Sequence, residues 1–180
     1  MGKFKFIETG IQGLTIVEPT VFGDDRGYFM ETYSEREFAD AGLPTCFVHN
    51  QSKSRKACCA ACISKSSTRR EIMRALSGAV LDVAVDIRKN SPTFGQWRSC
   101  LLTEENKRQF YVPEGFAHGF SVLSEEAVFA YKCTALYDPA DEGGIMYNDP
   151  QLNIDWQIPE GVEVLLSEKD KKHPGLDAWR

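Results

Sequence analysis

The chain holds 180 residues, 42% hydrophobic and 26% charged, and its 21 Lys+Arg against 26 Asp+Glu leave a net charge of −5. This is the length of one domain, taken as residues 1–180, with apolar surface enough to bury a core without disulfide or metal staples. The negative balance is a poor match to nucleic acid, no apolar run nears the roughly 20 residues of a membrane span, and no signal peptide opens the chain, so a cytoplasmic protein is expected.

In chain order, the opening MGKFKFIETG alternates apolar and polar residues like a first strand. Asp25-Arg-Gly-Tyr-Phe-Met-Glu31 follows a Gly-Asp-Asp turn and puts Arg26 and Glu31 on or beside a strand, as a solvated edge or as an anion clamp. Ser34 with Glu37 three residues on forms a capping box, and Gly42 with Pro44 ends the helix it opens. Val80–Arg88 is the clearest strand: Val83, Val85 and Ile87 share one face, and Asp82, Ala84, Asp86 and Arg88 share the other. It stops at Asn90-Ser-Pro-Thr-Phe-Gly95, a turn by composition. Further strands are predicted at Gln109–Val112, ended by Pro113, at Gly119–Leu123 and at Ala127–Thr134. After Ile158 the tail reads as loop, with Glu168-Lys-Asp-Lys-Lys172 as an exposed charged run. Short runs rich in Val, Ile, Phe and Tyr, punctuated by Gly, Pro, Asn and Asp, predict an all-β sandwich or barrel with little helix.

The histidines are His49, His118 and His173. His118 lies in Pro113-Glu-Gly-Phe-Ala-His-Gly-Phe120, where close backbone turns aim the ring from a strand start, and it is a candidate functional residue. His173, beside a proline in the charged tail, reads as solvated. Tyr131 and Tyr137 are six apart and share a strand face, either as core aromatics or as part of a site. Cys46, Cys58, Cys59, Cys62, Cys100 and Cys133 read as free thiols. Cys59-Ala-Ala-Cys62 has the spacing of half a zinc site or a redox pair, yet no second CxxC, spaced His pair or βαβ pattern completes either, so no metal is expected. Walker, GxGxxG, GxSxG and HExxH motifs are absent.

Read together, FIETGIQGLTIVEPTVFGDDRGYFMETYSEREF, NQSKS, GAVLDVAVDIRKNSPTFGQW, YVPEGFAHGF, YKCTALYDPADEGGI, NDPQLNIDW and LSEKD resemble the dTDP-4-dehydrorhamnose 3,5-epimerase family, in that family's order and over nearly the whole chain apart from residues 57–71. The resemblance implies a cupin-like jelly-roll barrel with a few short helices, a homodimer, and epimerisation at C3 and C5 of dTDP-4-dehydro-6-deoxy-D-glucose. A C4 ketone acidifies both neighbouring protons. The reaction then needs a base on one ring face, a proton donor on the other, and a group that steadies the enolate oxygen. Neither a redox cofactor nor a metal is called for, and the HxH motif of metal-binding cupins is missing. By the same resemblance Tyr131 is the proton donor and Asp170 the carboxylate that orients and charges the base histidine. Tyr137 is implied to stack on the thymine. Arg26 and Glu31 are implied to bind the nucleotide in the neighbouring subunit's pocket, with Asn50 continuing that contact. His118, Glu142 and Lys169 are implied to line the sugar and diphosphate. A small departure precedes Asn50, where Val48-His49 stand in place of the family's Gln-Asp. A non-catalytic sugar-nucleotide-binding relative and a sibling 3-epimerase or ketoisomerase are the alternatives.

The large departure follows Lys56. The family continues with a strand close to GVLRGLHFQ and a loop leading to QGK, which supply an arginine for the phosphates, the base histidine and a lysine for the enolate. Residues 57–71 here read ACCAACISKSSTRRE, so the arginine falls at Ala60 and the histidine at Ile63, and no base is present as written. One codon choice for this segment, read with a single added G, translates as GVLRGLHFQKQHTQG and leaves an A to open a lysine codon before Ile72. A shifted reading frame is therefore expected, with the base histidine near position 63 in the authentic product. A barrel strand that exchanged Val, Leu and Phe for Ala, Ser and Lys would also lose core packing.

Overall fold

In chain order the strands are β1 (Phe4–Glu8), β2 (Thr15–Pro19), β3 (Val21–Asp24), β4 (Gly27–Met30), β5 (Val48–Arg55), β6 (Cys59–Lys65), β7 (Glu71–Ser77), β8 (Ala79–Asp86), β9 (Trp97–Thr103), β10 (Gln109–Val112), β11 (Phe116–Val122), β12 (Glu126–Cys133) and β13 (Glu142–Ile145), with one helix, α1 (Glu35–Asp40). The computed structural model describes residues 2–57, 59–65, 69–136 and 142–180, with backbone alone at 59–65 and 142. A six-stranded sheet, β1-β2-β10-β7-β12-β5, faces a five-stranded sheet, β13-β6-β11-β8-β9, while β3 and β4 form a separate hairpin. The chain is all-β and cupin-like.

Alternation along the strands builds three apolar layers. Between the sheets, Met73, Ala75, Phe110 and Phe129 meet Val80, Ala84, Leu102, Phe116 and Val122. Outside the five-stranded sheet, Leu81, Val83, Val85, Ile87 and Ala117 pack on Leu152, Trp156 and Leu176 of the tail. Outside the six-stranded sheet, Val17, Ile72 and Tyr111 pack beneath Phe38 of α1. The two predicted faces of the 80–88 strand therefore both end up buried, one against the opposite sheet and one against the tail.

The helix forms where its cap predicts, but the capping box is only half closed. Ser34 Oγ accepts from the Glu37 amide at 3.5 Å, whereas the Glu37 carboxylate accepts from the amides of Lys3 at 2.8 Å and Phe4 at 3.3 Å. Glu37 thus ties the helix to β1 rather than to its own first turn. β11 starts at Phe116, three residues before the predicted Gly119. The turn into it needs Gly115, whose φ is +78° and whose absent β-carbon would sit 2.5 Å from Arg88 Cγ.

The tail differs most from its reading. Residues 170–172 and 176–179 form short 3-10 turns. The Asp149 carboxylate accepts from the amides of Gln151, Leu152 and Leu176, and Trp179 Nε1 donates to Gly144 O at 3.2 Å. These bonds fasten the tail across β13. Asp170 is 7% exposed, so the charged run is not exposed throughout.

Candidate active site

β6 runs between β11 and β13. Ile63 pairs with His118 on one side and with Gly144 on the other, and Ala60 pairs with Phe120. Three steps along β6 thus match two along β11, which is a bulge. Residues three apart on a regular strand fall on opposite faces. The bulge instead gives positions 60 and 63 the face shared by Phe120 and His118, the one turned toward the six-stranded sheet. These are the positions at which the family resemblance puts the arginine and the histidine.

His118 is held from two sides. Its Nε2 bonds Asp82 Oδ1, and its Nδ1 lies 3.1 Å from Glu71 Oε2. Burial opposes charging the ring, but Asp82 and Glu71 outweigh it, and the pKa is pushed up to about 10. His118 is therefore an imidazolium with both nitrogens engaged, not a base. Asp82 is fully buried, and that burial holds its carboxyl above the usual range despite the imidazolium beside it. Its Oδ2 has no hydrogen-bond partner among the described residues. Glu71 completes the cluster through Arg69, whose Nε lies 2.7 Å away and whose Nη2 lies 2.8 Å from Cys133 Sγ. Burial raises the Cys133 thiol pKa, as it does that of Cys100, which is pushed up to about 12. Both stay thiols, and Cys46, Cys100 and Cys133 are free of disulfides, as read from the sequence.

The facing sheet brings Tyr131. It pairs with Asn50 on β5 and with Met73 on β7, and it packs against the layer between the sheets. The Phe120 and Phe129 rings lie 5.1 Å apart and those of Phe129 and Tyr131 6.2 Å, so aromatic contacts cross from the His118 strand to the Tyr131 strand. Asn50 Nδ2 reaches Cys133 Sγ at 3.6 Å, which joins β5 to the Arg69–Glu71 cluster. Tyr131, Asn50 and His118 thus share the space between the sheets.

Asp170 arrives from the tail. Its Oδ2 accepts from Ser167 Oγ at 2.7 Å, and its Oδ1 lies 3.6 Å from His173 Nε2. The His173 side chain is 14% exposed, which corrects its reading as a solvated residue. A β-carbon built on Gly144 would come within 2.5 Å of the His173 ring, so only glycine at 144 admits it. Because Gly144 is the register partner of position 63, the Asp170–His173 pair stands beside that position.

Other expected residues lie apart. Arg26 is at the tip of the β3–β4 hairpin, 90% exposed, with its Nη2 2.5 Å from Asp24. Glu31 pairs with Lys3. Lys169 is exposed. Glu142 opens β13, where its backbone pairs with Lys65. Tyr137 lies outside the described residues. Sequence reading missed Glu71, Asp82 and Arg69 as site neighbours. Asp82 had a signal, since it is a charge on a strand whose other face is wholly apolar.

A sequence model of the family described as dTDP-4-dehydrorhamnose 3,5-epimerase matches residues 8–178. The chain is 47% identical over 178 residues to a dTDP-4-dehydrorhamnose 3,5-epimerase of Salmonella typhimurium, covering 95% of this chain and 94% of that protein. Among solved structures, a dTDP-4-dehydrorhamnose 3,5-epimerase of Elizabethkingia anophelis is 45% identical with a TM-score of 0.92, covering 98% of each chain. A Legionella pneumophila dTDP-6-deoxy-D-glucose-3,5-epimerase, solved in complex with dTDP-4-keto-L-rhamnose, is 46% identical with a TM-score of 0.91, covering 97% of this chain and 93% of that one.

Proposed function

The chain belongs to the dTDP-4-dehydrorhamnose 3,5-epimerase family, and on that premise we propose that it epimerises dTDP-4-dehydro-6-deoxy-D-glucose at C3 and C5 by proton transfer through an enolate. The observation that carries the reading is the placement of Tyr131 on one sheet opposite the His118 row of the other, with Asp170 beside position 63. A proton leaves one face of the sugar ring and returns from the other, so donor and acceptor must flank the ring as two facing sheets do. Tyr131 is the donor, its phenol hydroxyl supplying the proton to the enolate carbon. Asp170 orients and charges the base. His118, held from two sides by Asp82 and Glu71, lines the sugar.

The nucleotide is bound across two subunits of a homodimer in this reading. The β3–β4 hairpin leaves Val21, Phe22, Tyr28 and Phe29 41%, 53%, 59% and 63% exposed, apolar surface that a second copy would cover while Arg26 and Glu31 reach its pocket. Asn50, Tyr137, Glu142 and Lys169 complete the substrate contacts.

Segment 57–71 is read as the product of a shifted frame. Three observations support this. β6 keeps a strand register, and its bulge fits an arginine at 60 and a histidine at 63. The shifted segment holds sixteen residues against the fifteen of 57–71, so with its histidine kept at 63 it takes up one added residue before Ile72, and its lysine then stands in the place of Glu71, near Asp82. The unpartnered Asp82 Oδ2, with a second carboxylate, that of Glu71, on the same imidazolium, then marks a site short of positive charge. Sequencing the coding DNA across residues 56–72 decides it, and an in-frame ACCAACISKSSTRRE would end the idea.

The function is tested by NMR of the substrate turned over in D2O. Deuterium at both C3 and C5 is the expected result. Exchange at C3 alone would make the protein a 3-epimerase, and dTDP binding without exchange would make it a non-catalytic relative.

A further inference from the structure

The chain as written has three histidines, and their surroundings differ. His49 is exposed and pairs with Lys132, on the face of β5 opposite to that of Asn50 and Tyr131. His118 has both ring nitrogens engaged by carboxylates. His173 differs from both. Its Nε2 faces Asp170 Oδ1 at 3.6 Å, which leaves Nδ1 as its other ring nitrogen. Its ring fills the place that a β-carbon at 144 would take. Directly opposed residues of an antiparallel pair project on the same face. The row His118, position 63, Gly144 therefore puts the His173 ring on the face that Tyr131 looks toward. Adjacent strands are about 4.8 Å apart, so this ring stands one strand over from position 63 and about 10 Å along the row from His118. Ser167 fixes the other Asp170 oxygen with a 2.7 Å bond, which leaves Oδ1 to the histidine.

We propose that His173, oriented by Asp170, is the proton acceptor of the chain as written. This rests on the epimerase reading of the site but not on the frame-shift reading. In the step, Nδ1 takes the proton from the substrate carbon next to the ketone, and the C–H electron pair moves into the C4 carbonyl to give the enolate. The imidazolium so formed is stabilised by the Asp170 carboxylate, 3.6 Å from Nε2. Tyr131 then delivers a proton to the opposite face. The histidine–carboxylate pair is the same chemical unit that a histidine at 63 would make with Asp170, approached from the tail instead of from β6. A chain with the shifted-frame segment would hold both histidines around one carboxylate, and the one on β6 would carry the faster route.

The test compares four proteins in D2O by NMR of dTDP-4-dehydro-6-deoxy-D-glucose: the chain as written, its H173Q and H173A variants, and a chain carrying GVLRGLHFQKQHTQGK in place of 57–71. The chain as written is expected to exchange slowly, and H173Q to exchange about 100-fold more slowly still, with dTDP affinity unchanged. Added imidazole is expected to restore exchange to H173A, where the missing ring leaves a gap over Gly144; structural damage would not be repaired this way. The proposal is overturned by full activity in H173Q, or by a folded, dTDP-binding H173A that imidazole does not rescue. It is also overturned if only the shifted-frame chain exchanges, in which case the epimerase reading stands. If neither chain exchanges although both bind dTDP, that reading falls as well.

Discussion

His118 shows how much of this site is decided by single side chains. Its charge is held by Asp82 and Glu71, and the sign of the pH effect follows. The pKa is raised from 6.5 to about 10, so the stabilisation is complete below 6.5 and is lost as pH rises through about 10. Urea unfolding is expected to become easier from neutral pH to about pH 11, and H118N to flatten that slope; an equal slope in H118N would assign the titration to another group. H118N should also cost stability at neutral pH, about 3–5 kcal/mol, because it leaves two buried carboxylates facing each other. Tyr131 makes a different prediction. Y131F removes the phenol hydroxyl and keeps the ring beside Phe129, so it should slow epimerisation by about 10²–10⁴ while dTDP affinity and melting temperature hold. A Y131F enzyme of normal rate would take the acid role away from Tyr131. Asp86 is the opposite electrostatic case to His118. Burial works against its ionisation, but bonds from Arg88, Ser91 and Thr93 win and pull its pKa to about 2, so it clips the 88–93 turn at any ordinary pH.

At the scale of elements, what was legible depended on whether one face met the core. The 80–88 strand, the 109–112 strand and the helix were readable because alternation or a cap is written locally. β5 was not. Its VHNQSKSR is polar on both faces, since it is an edge strand whose inner face meets the site and not the hydrophobic layer. The β3–β4 hairpin is exposed on both sides and likewise carries no period. His173 was illegible for another reason: what buries it is a glycine 29 positions earlier in the chain. Local composition cannot show that. Gly144 is thus the element-level test of tail docking. G144A puts a β-carbon into the His173 ring and should lower stability by about 1–3 kcal/mol while expelling the tail residue from its place. Thermal unfolding of G144A, alone and combined with H173A, checks it. Relief of the G144A loss in the double variant is expected, and additive losses would mean the clash is not the cause.

The whole molecule assembles its site from both sheets and the tail, and the proposed second subunit supplies the nucleotide clamp. Sedimentation equilibrium at micromolar concentration should give a mass twice that of the chain, and F22S/F29S should shift it toward monomer; a wild-type monomer would count against the dimer. The bulge in β6 has a consequence of a different kind. Because the strand delivers positions 60 and 63 to one face only by spending an extra residue between them, the site is addressed by counting as well as by identity. Point substitutions at 61 or 62 leave that count intact. Deleting either codon leaves the two positions two apart on a regular ladder and still on one face, and what is lost is the local bend and twist that the bulge gives the strand. In a mutational library this strand should therefore tolerate loss of residue 61 or 62 better than loss of a residue elsewhere along it, where a one-residue slip turns the following side chains to the other face. The genetic record of such a strand would be strict in number everywhere except at its bulge.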